Sequence, residues 1–79
     1  MDETIKFDVR QVNEEFILTT LKEVKDILEE KGYNSINQIV GYLISGDPGY
    51  ITSYKNARKM IACLDRSKTL EVLIKKALV

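Results

Sequence analysis

The sequence contains no histidine and no tryptophan, one proline and one cysteine, Cys63. The absence of histidine removes the side chain that most often acts as a general acid, a general base or a metal ligand. A single cysteine cannot close a disulfide within the chain, and zinc sites use about four nitrogen or sulfur ligands. We therefore expect no metal, no cofactor and no enzymatic activity.

A long apolar run and an excess of one charge are also missing. The longest apolar stretch, residues 39–44, is far too short to span a bilayer, and the first residues lack the features of a signal peptide. Lysine plus arginine equal aspartate plus glutamate at 12 each, so the net charge does not favour nucleic acid as a partner. We expect a cytoplasmic protein without membrane insertion.

The charges are unevenly distributed along the chain. Residues 1–30 carry nine acidic and four basic side chains, a balance of −5, whereas residues 53–79 carry seven basic and two acidic ones, a balance of +5. Two interpretations stay open: solvated helix faces, or acidic and basic ends that meet across a contact between subunits. Because 79 residues lie near the lower limit for a self-sufficient core, we expect one domain that forms a homodimer.

Helical spacing of apolar residues predicts an all-α, compact domain of four to five helices. The first helix spans 13–31 and ends at Gly32, which suits the left-handed residue after a helix. The second helix is capped by Asn34 or Ser35, with Ser35 and Gln38 forming a reciprocal capping box, and ends at Gly46. The predicted buried residues of the first helix are Ile17, Leu21, Val24 and Leu28, with Phe16, Thr20 and Ile27 widening the stripe. Those of the second helix are Ile36, Ile39, Val40, Leu43 and Ile44.

Two further helices follow Asp47-Pro48-Gly49, which is predicted to form a turn or a single helical turn. The third helix spans about 53–65, and the last helix begins after a break at 66–67. Cys63 is expected in the core, and Val72 on a solvated face. The predicted inward residues are Tyr54, Ala57, Ile61 and Leu64, then Leu70, Leu73, Ile74, Ala77 and Leu78.

The amino-terminal residues follow a different pattern. Ile5, Phe7 and Val9 alternate with polar residues, which indicates an extended arm or a short strand. The expected layout is a single domain over 1–79, with a flexible or extended arm at 1–11 and a helical core at 12–79.

Two sets of residues in the second helix are candidate contacts. Glycine inside a helix costs about 1 kcal/mol relative to alanine, so Gly41, one turn from Ser45, predicts close approach of another helix or of a second subunit. The polar residues Asn37, Gln38 and Tyr42 are expected to be exposed, where they line a partner or ligand groove or serve the architecture alone.

A helix-turn-helix is the alternative function from the residues. In it Lys55, Arg58 and Lys59 face phosphates and Asn56 faces a base edge. The connector 46–52 is longer than the usual turn, and a neutral chain binds DNA weakly. We keep this DNA-binding regulator as the second hypothesis.

The stretch GYNSINQIVGYLISGDPGYI, residues 32–51, resembles the motif of the IreB regulatory phosphoprotein family of Gram-positive bacteria. The similarity extends to DETIKFD, EKGYN, NARKMI and LDR. It implies an all-helical homodimer without known enzymatic activity. It also implies phosphorylation by a transmembrane PASTA-domain serine/threonine kinase, a cognate phosphatase, and an unidentified downstream protein, in signalling tied to cell-wall stress and antibiotic tolerance.

The resemblance assigns the phosphorylated threonine to Thr4, in DET ahead of IKF. Phosphate adds about −1.5 to −2 charges to an arm that is already acidic. We hypothesise that the modified arm moves toward the basic helices, with Arg58, Lys59 and Arg66 as acceptors. Ser35 and Gly49 depart from the family's usual proline and alanine.

Overall fold

The computed structural model describes residues 13–79. Within that range the chain forms four α-helices and no strand: α1, Asn13–Glu30; α2, Ser35–Ser45; α3, Ala57–Ala62; and α4, Arg66–Leu78. Short 3-10 helices at Pro48–Tyr50 and Tyr54–Asn56 connect α2 to α3. The predicted all-α class is confirmed. The predicted arm and Thr4 lie outside the described residues, and the homodimer stays a prediction.

The helix α1 is the longest element, and its apolar side forms the centre of the core. It ends as the sequence predicts, because Gly32 adopts a φ of 87° and the N–H of Tyr33 donates to the carbonyl of Leu28 at 2.9 Å. The buried apolar core is formed by α1 itself, by every later helix, and by the connections after α2 and α3. Its residues are Ile17, Leu21, Val24, Leu28, Tyr42, Leu43, Ile51, Ala57, Ile61, Leu64 and Val72. Phe16 of α1, predicted beside this core, is 53% exposed.

The start of α2 is capped by Asn34, whose Oδ1 accepts a hydrogen bond from the N–H of Asn37 at 3.0 Å. Ser35 lies inside the helix, and its buried hydroxyl donates to Oε2 of Glu29 at 2.7 Å. The capping box predicted for Ser35 and Gln38 is therefore wrong. The capping box would need the Ser35 hydroxyl at the start of α2, but that hydroxyl is bonded to Glu29 of α1.

The apolar stripe predicted to be buried on α2 is largely exposed. Ile36, Val40 and Ile44 are 62%, 48% and 77% exposed, whereas Tyr42, predicted to be exposed, is buried. The helix turns Tyr42 and Leu43 toward the core. Its widest apolar side consequently faces outward.

The third predicted helix is interrupted. Lys55 and Asn56 have φ values of 51° and 66°, a left-handed conformation that strains residues with a Cβ atom, and α3 begins only at Ala57. Ala57, Ile61 and Leu64 are buried as predicted, but Tyr54 is 36% exposed. Cys63 is exposed, so its predicted core position is wrong, because α3 ends at Ala62 and Cys63 lies in the following turn.

The last helix buries a different side from the predicted one. Thr69 and Val72 are 0% and 1% exposed, and the Thr69 hydroxyl donates to the carbonyl of Asp65 at 2.9 Å. The predicted stripe is outward, with Leu70, Ile74 and Leu78 exposed. The expectation for Val72 is wrong because α4 packs on α1 and Val72 belongs to the buried core.

The position of Cys63 gives a direct test of the register after α3. An exposed thiol reacts without unfolding, so we expect one equivalent of a thiol reagent such as dithionitrobenzoate to react with the native chain at nearly its rate in urea. Cys63→Ser is the blank. Protection of the thiol until denaturant is added would contradict the register.

Candidate functional site

The turn that follows α2, residues 46–50, is held in place by side chains of α2, and we call it the motif turn. The Nε2 of Gln38 donates to the carbonyl of Tyr50 at 2.8 Å. The ring of Tyr50 lies directly against Gly41, where an added Cβ would be 2.6 Å from Cδ1 and 2.9 Å from Cζ. The Ser45 hydroxyl donates to the carbonyl of Gly41 at 2.7 Å. Gly41 therefore makes space for an aromatic ring of its own chain.

The turn itself has its own hydrogen bonds. Gly46 has a φ of 77° and its N–H donates to the carbonyl of Tyr42, and Asp47 caps the 3-10 helix by accepting from the N–H of Gly49 at 2.8 Å. Pro48 occupies the first helical position. The predicted single helical turn is confirmed.

The residues of the predicted groove do not share one surface. Asn37 is exposed, Gln38 is half-buried and bonded to Tyr50, and Tyr42 is 6% exposed. The exposure predicted for Tyr42 is wrong. A partner role for Asn37 and Gln38 stays a prediction, as does a subunit contact at Gly41 and Ser45.

Two of the predicted phosphate acceptors bind backbone carbonyls that flank the motif turn. The Nε of Arg58 donates to the carbonyl of Ile51 at 2.9 Å, and Nη1 of Arg66 donates to the carbonyl of Leu43 at 3.0 Å. Lys59 is exposed on α3. Among residues 13–79 each arginine uses one nitrogen in these bonds, whereas a guanidinium has five N–H donors in all.

A cluster around Glu30, which the sequence pattern did not indicate, joins the end of α1 to the kink before α3. Glu30 accepts from Nζ of Lys55 at 3.1 Å and from the hydroxyl of Tyr54 at 3.0 Å. Nζ of Lys31 lies 4.8 Å from the centroid of the Tyr54 ring. Helical periodicity carries no signal for such a contact, since the partners are 24 and 25 residues apart.

The same hydrogen bonds shift the titration of these groups. The Lys55 ammonium and then the Tyr54 hydroxyl hold the pKa of Glu30 below its usual value. Glu30 in turn raises the pKa of Lys55. The pKa of Glu29 is lowered first by the Ser35 hydroxyl and then by Lys25.

The cluster and the kink remove support for the helix-turn-helix hypothesis. Lys55, assigned to a DNA phosphate, is bonded to Glu30, and Asn56 precedes the helix that was to carry it. That helix has only six residues, too few to present the usual recognition surface.

A groove of about 660 Å³ opens between α1 and α2. We call it the α1–α2 groove. The rim is charged, with Glu14, Glu15, Lys22 and Lys25 on α1 and Lys76 on α4. The floor and walls are apolar and comprise Leu18, Leu21, Ile36, Ile39, Val40, Leu43 and Leu73. The stripe on α2 was visible in the sequence, but its period cannot tell a buried side from a groove wall.

Residues 13–79 present little else that points to chemistry. No group of three or more histidine, cysteine, aspartate or glutamate side chains within that range is placed to hold a metal ion. None of the helices described combines the length and the apolar character needed to cross a bilayer.

The family model of the IreB regulatory phosphoprotein matches residues 2–79. The chain belongs to the IreB regulatory phosphoprotein family. The match covers α1 to α4 and also the position of Thr4, so it agrees with the resemblance found in the motif segment.

Replacing Gly41 with alanine tests the contact with Tyr50. The methyl group gains about 1 kcal/mol of helix propensity but overlaps the ring, which costs about 1–3 kcal/mol. We expect a net loss of about 1 kcal/mol in the free energy of unfolding, measured with urea at fixed protein concentration. In the control Gly49→Ala, the three atoms nearest to the added Cβ all belong to the Asp47 carboxyl group, with Oδ1 the nearest at 3.1 Å, and we expect stability within about 0.5 kcal/mol. Equal losses of unfolding free energy in the two variants would contradict the assignment of Gly41 as the residue that makes space for the Tyr50 ring.

The Glu30 cluster predicts a pH dependence. Because its folded pKa is lowered, Glu30 stabilises the fold above its ordinary pKa of 4.5 and loses this contribution as the pH falls through the folded value. Glu30→Gln should therefore lower the urea midpoint at pH 7, and the gap to the unmodified chain should close in acid. The matched variant Glu23→Gln, at an exposed position of α1, should leave the urea midpoint at pH 7 unchanged. A gap independent of pH would refute the assignment.

Proposed function

We propose that this chain is a phosphorylation-controlled regulatory protein that acts by binding other proteins, as a homodimer in the cytoplasm. A transmembrane serine/threonine kinase phosphorylates Thr4, a cognate phosphatase reverses the modification, and the signal concerns cell-wall stress and antibiotic tolerance. The observation that carries the proposal is the family match over residues 2–79. The exposed apolar sides of α2 and α4 support a role in protein binding.

The phosphorylated arm binds the basic surface of α3 and α4 in this proposal. Arg58 and Arg66 support it because each has guanidinium donors beyond the one bonded to a carbonyl. Lys59 adds an exposed positive charge. Asn37 and the outer edge of Gln38 form a second candidate contact, for the downstream protein.

The modification is tested by incubating the purified chain with ATP and the catalytic domain of a PASTA-domain kinase, then mapping the phosphate by mass spectrometry. We expect phosphate on Thr4 and none after Thr4→Ala. Thr19→Ala is the matched control, since Thr19 is an exposed threonine on α1. Phosphate placed elsewhere, or equal loss with the control, would overturn the assignment of Thr4.

The binding of the arm is read from the same samples by NMR. The phosphate adds about −1.5 to −2 charges. We expect it to shift the amide signals of Arg58, Lys59 and Arg66 and the guanidinium signals of the two arginines, while signals of α1 and α2 residues far from these side chains stay fixed. Unchanged signals in a fully phosphorylated sample would refute this contact and leave the modification itself intact.

A further inference from the structure

The kink before α3 has a backbone conformation that its residues do not favour. Lys55 and Asn56 have φ values of 51° and 66°, in the left-handed region where a Cβ atom costs energy. Asparagine is enriched in this region, but lysine is not. Because neither position is a glycine, contacts with other parts of the chain must maintain the kink.

The residues just before the kink already have the features of a helix start. The N–H of Tyr54 donates to Oγ1 of Thr52 at 3.2 Å, which is the hydrogen bond that an N-cap side chain accepts from the second residue of a helix. Ser53, between them, has the helical angles φ −82° and ψ −5°. The two left-handed residues therefore interrupt a helix that would otherwise continue from here into α3.

The backbone hydrogen bonds of the kink can be exchanged for those of a continuous helix without loss. In the structure the N–H groups of Asn56, Ala57 and Arg58 donate to the carbonyls of Ser53, Tyr54 and Thr52, respectively. A continuous helix joins the same three N–H groups to the same three carbonyls, each to the carbonyl four residues earlier. Because every donor and acceptor of the set is paired in both arrangements, backbone hydrogen bonding does not exclude either of them.

Glu30 of α1 makes the contacts that favour the kinked arrangement. Its carboxylate accepts from the hydroxyl of Tyr54 at 3.0 Å and from Nζ of Lys55 at 3.1 Å. Neighbouring residues of a helix point about 100° apart and do not face each other. The kink is therefore what allows one carboxylate to bond both side chains.

We propose that the segment between Thr52 and Ala57 has two states. It is kinked while Glu30 bonds Tyr54 and Lys55, as in the structure, and it becomes the first turn of α3 when those bonds are lost. The extended α3 then covers residues 53–62. The inference rests on the contacts of Glu30 and does not depend on the proposed phosphorylation.

The helical state has a different charged surface. In the kinked state the Lys55 ammonium is paired with Glu30. In the extended α3, Lys55 lies three residues before Arg58 and four before Lys59, so the three cations share one side of the helix. An anion that binds this side favours the helical state and raises its population.

Substitutions at Asn56 test the two states without changing a charge. Asn56 is exposed, and its side chain makes no capping hydrogen bond to α3. Asn56→Gly favours the left-handed backbone, whereas Asn56→Ala favours the helix. The ratio of helical to kinked chains should therefore differ by at least on the order of tenfold between the two variants.

Backbone NMR of the full chain gives the readout, because the chemical shifts of residues 54–57 distinguish a left-handed backbone from a helix. We expect kinked signals in the unmodified chain and in Asn56→Gly, and helical signals when Asn56→Ala is combined with Glu30→Ala, which removes both side-chain hydrogen bonds. The signals of the other residues show that each variant is folded. If the double variant does not fold, the two single variants are compared, and each should shift the same signals toward the helix.

Glu23→Ala combined with Asn56→Ala is the matched control, since Glu23 is an exposed carboxylate of the same helix. It should leave the signals of the segment as they are in Asn56→Ala alone. A left-handed backbone at residues 55 and 56 in every variant would overturn the proposal, because the kink would then be a fixed part of the fold. Equal helical populations with Glu30→Ala and with Glu23→Ala would overturn the role of Glu30.

The change of charged surface is tested with inorganic phosphate. It is titrated into Glu30→Ala combined with either Asn56→Gly or Asn56→Ala, two chains of equal charge, while the amide signals of Lys55, Arg58 and Lys59 are followed. We expect binding to be severalfold tighter in the Asn56→Ala chain, where the three cations are aligned. Equal affinities would overturn the link between the helical state and anion binding.

Discussion

The burial of one side of α1 is the constraint on which the structure of residues 13–79 depends. The helices α2, α3 and α4 have only 11, 6 and 13 residues, and helices of this length are marginal in water without packing. Each reaches α1 or its immediate neighbours through a few residues, such as Leu43 on α2, Ile61 on α3 and Val72 on α4. Because the contact sides are narrow, the rest of the apolar surface on α2 and α4 stays outside.

Local features of the sequence were enough to predict α1, α2 and their ends. The limits of α3 were predicted wrongly, and so was the break at 66–67, because Asp65 caps a helix that already begins at Arg66. Gly32, Gly46 and Asp47 act on their own neighbours, so their roles can be read without knowing the fold. The direction that each helix faces is not local. The stripes of α2 and α4 are as regular as that of α1, and periodicity alone cannot decide which side meets the core. Thr69 and Val72 are buried because α4 packs closely on α1, a property of the pair of helices.

The candidate site was harder to predict because its contacts join distant parts of the chain. Gln38 looked like an exposed polar residue, yet it bonds to Tyr50. The backbone is left-handed at Lys55 and Asn56, where the sequence has no glycine that would predict this conformation. The ion pair between Lys55 and Glu30 of α1 forms at this kink. The glycine-rich segment is therefore mainly a corner of the fold, and the more open surfaces are apolar ones that neither glycine nor polar residues mark.

In the proposed function the two arginines beside the motif turn both hold the turn and bind the phosphate, a combination that suits arginine better than lysine. A guanidinium has five N–H donors spread over three nitrogens, whereas an ammonium concentrates three donors on one atom. Arg58 and Arg66 each bond a backbone carbonyl through a single nitrogen. The phosphate binding that we propose would therefore not require either arginine to release the carbonyl that it holds in the turn.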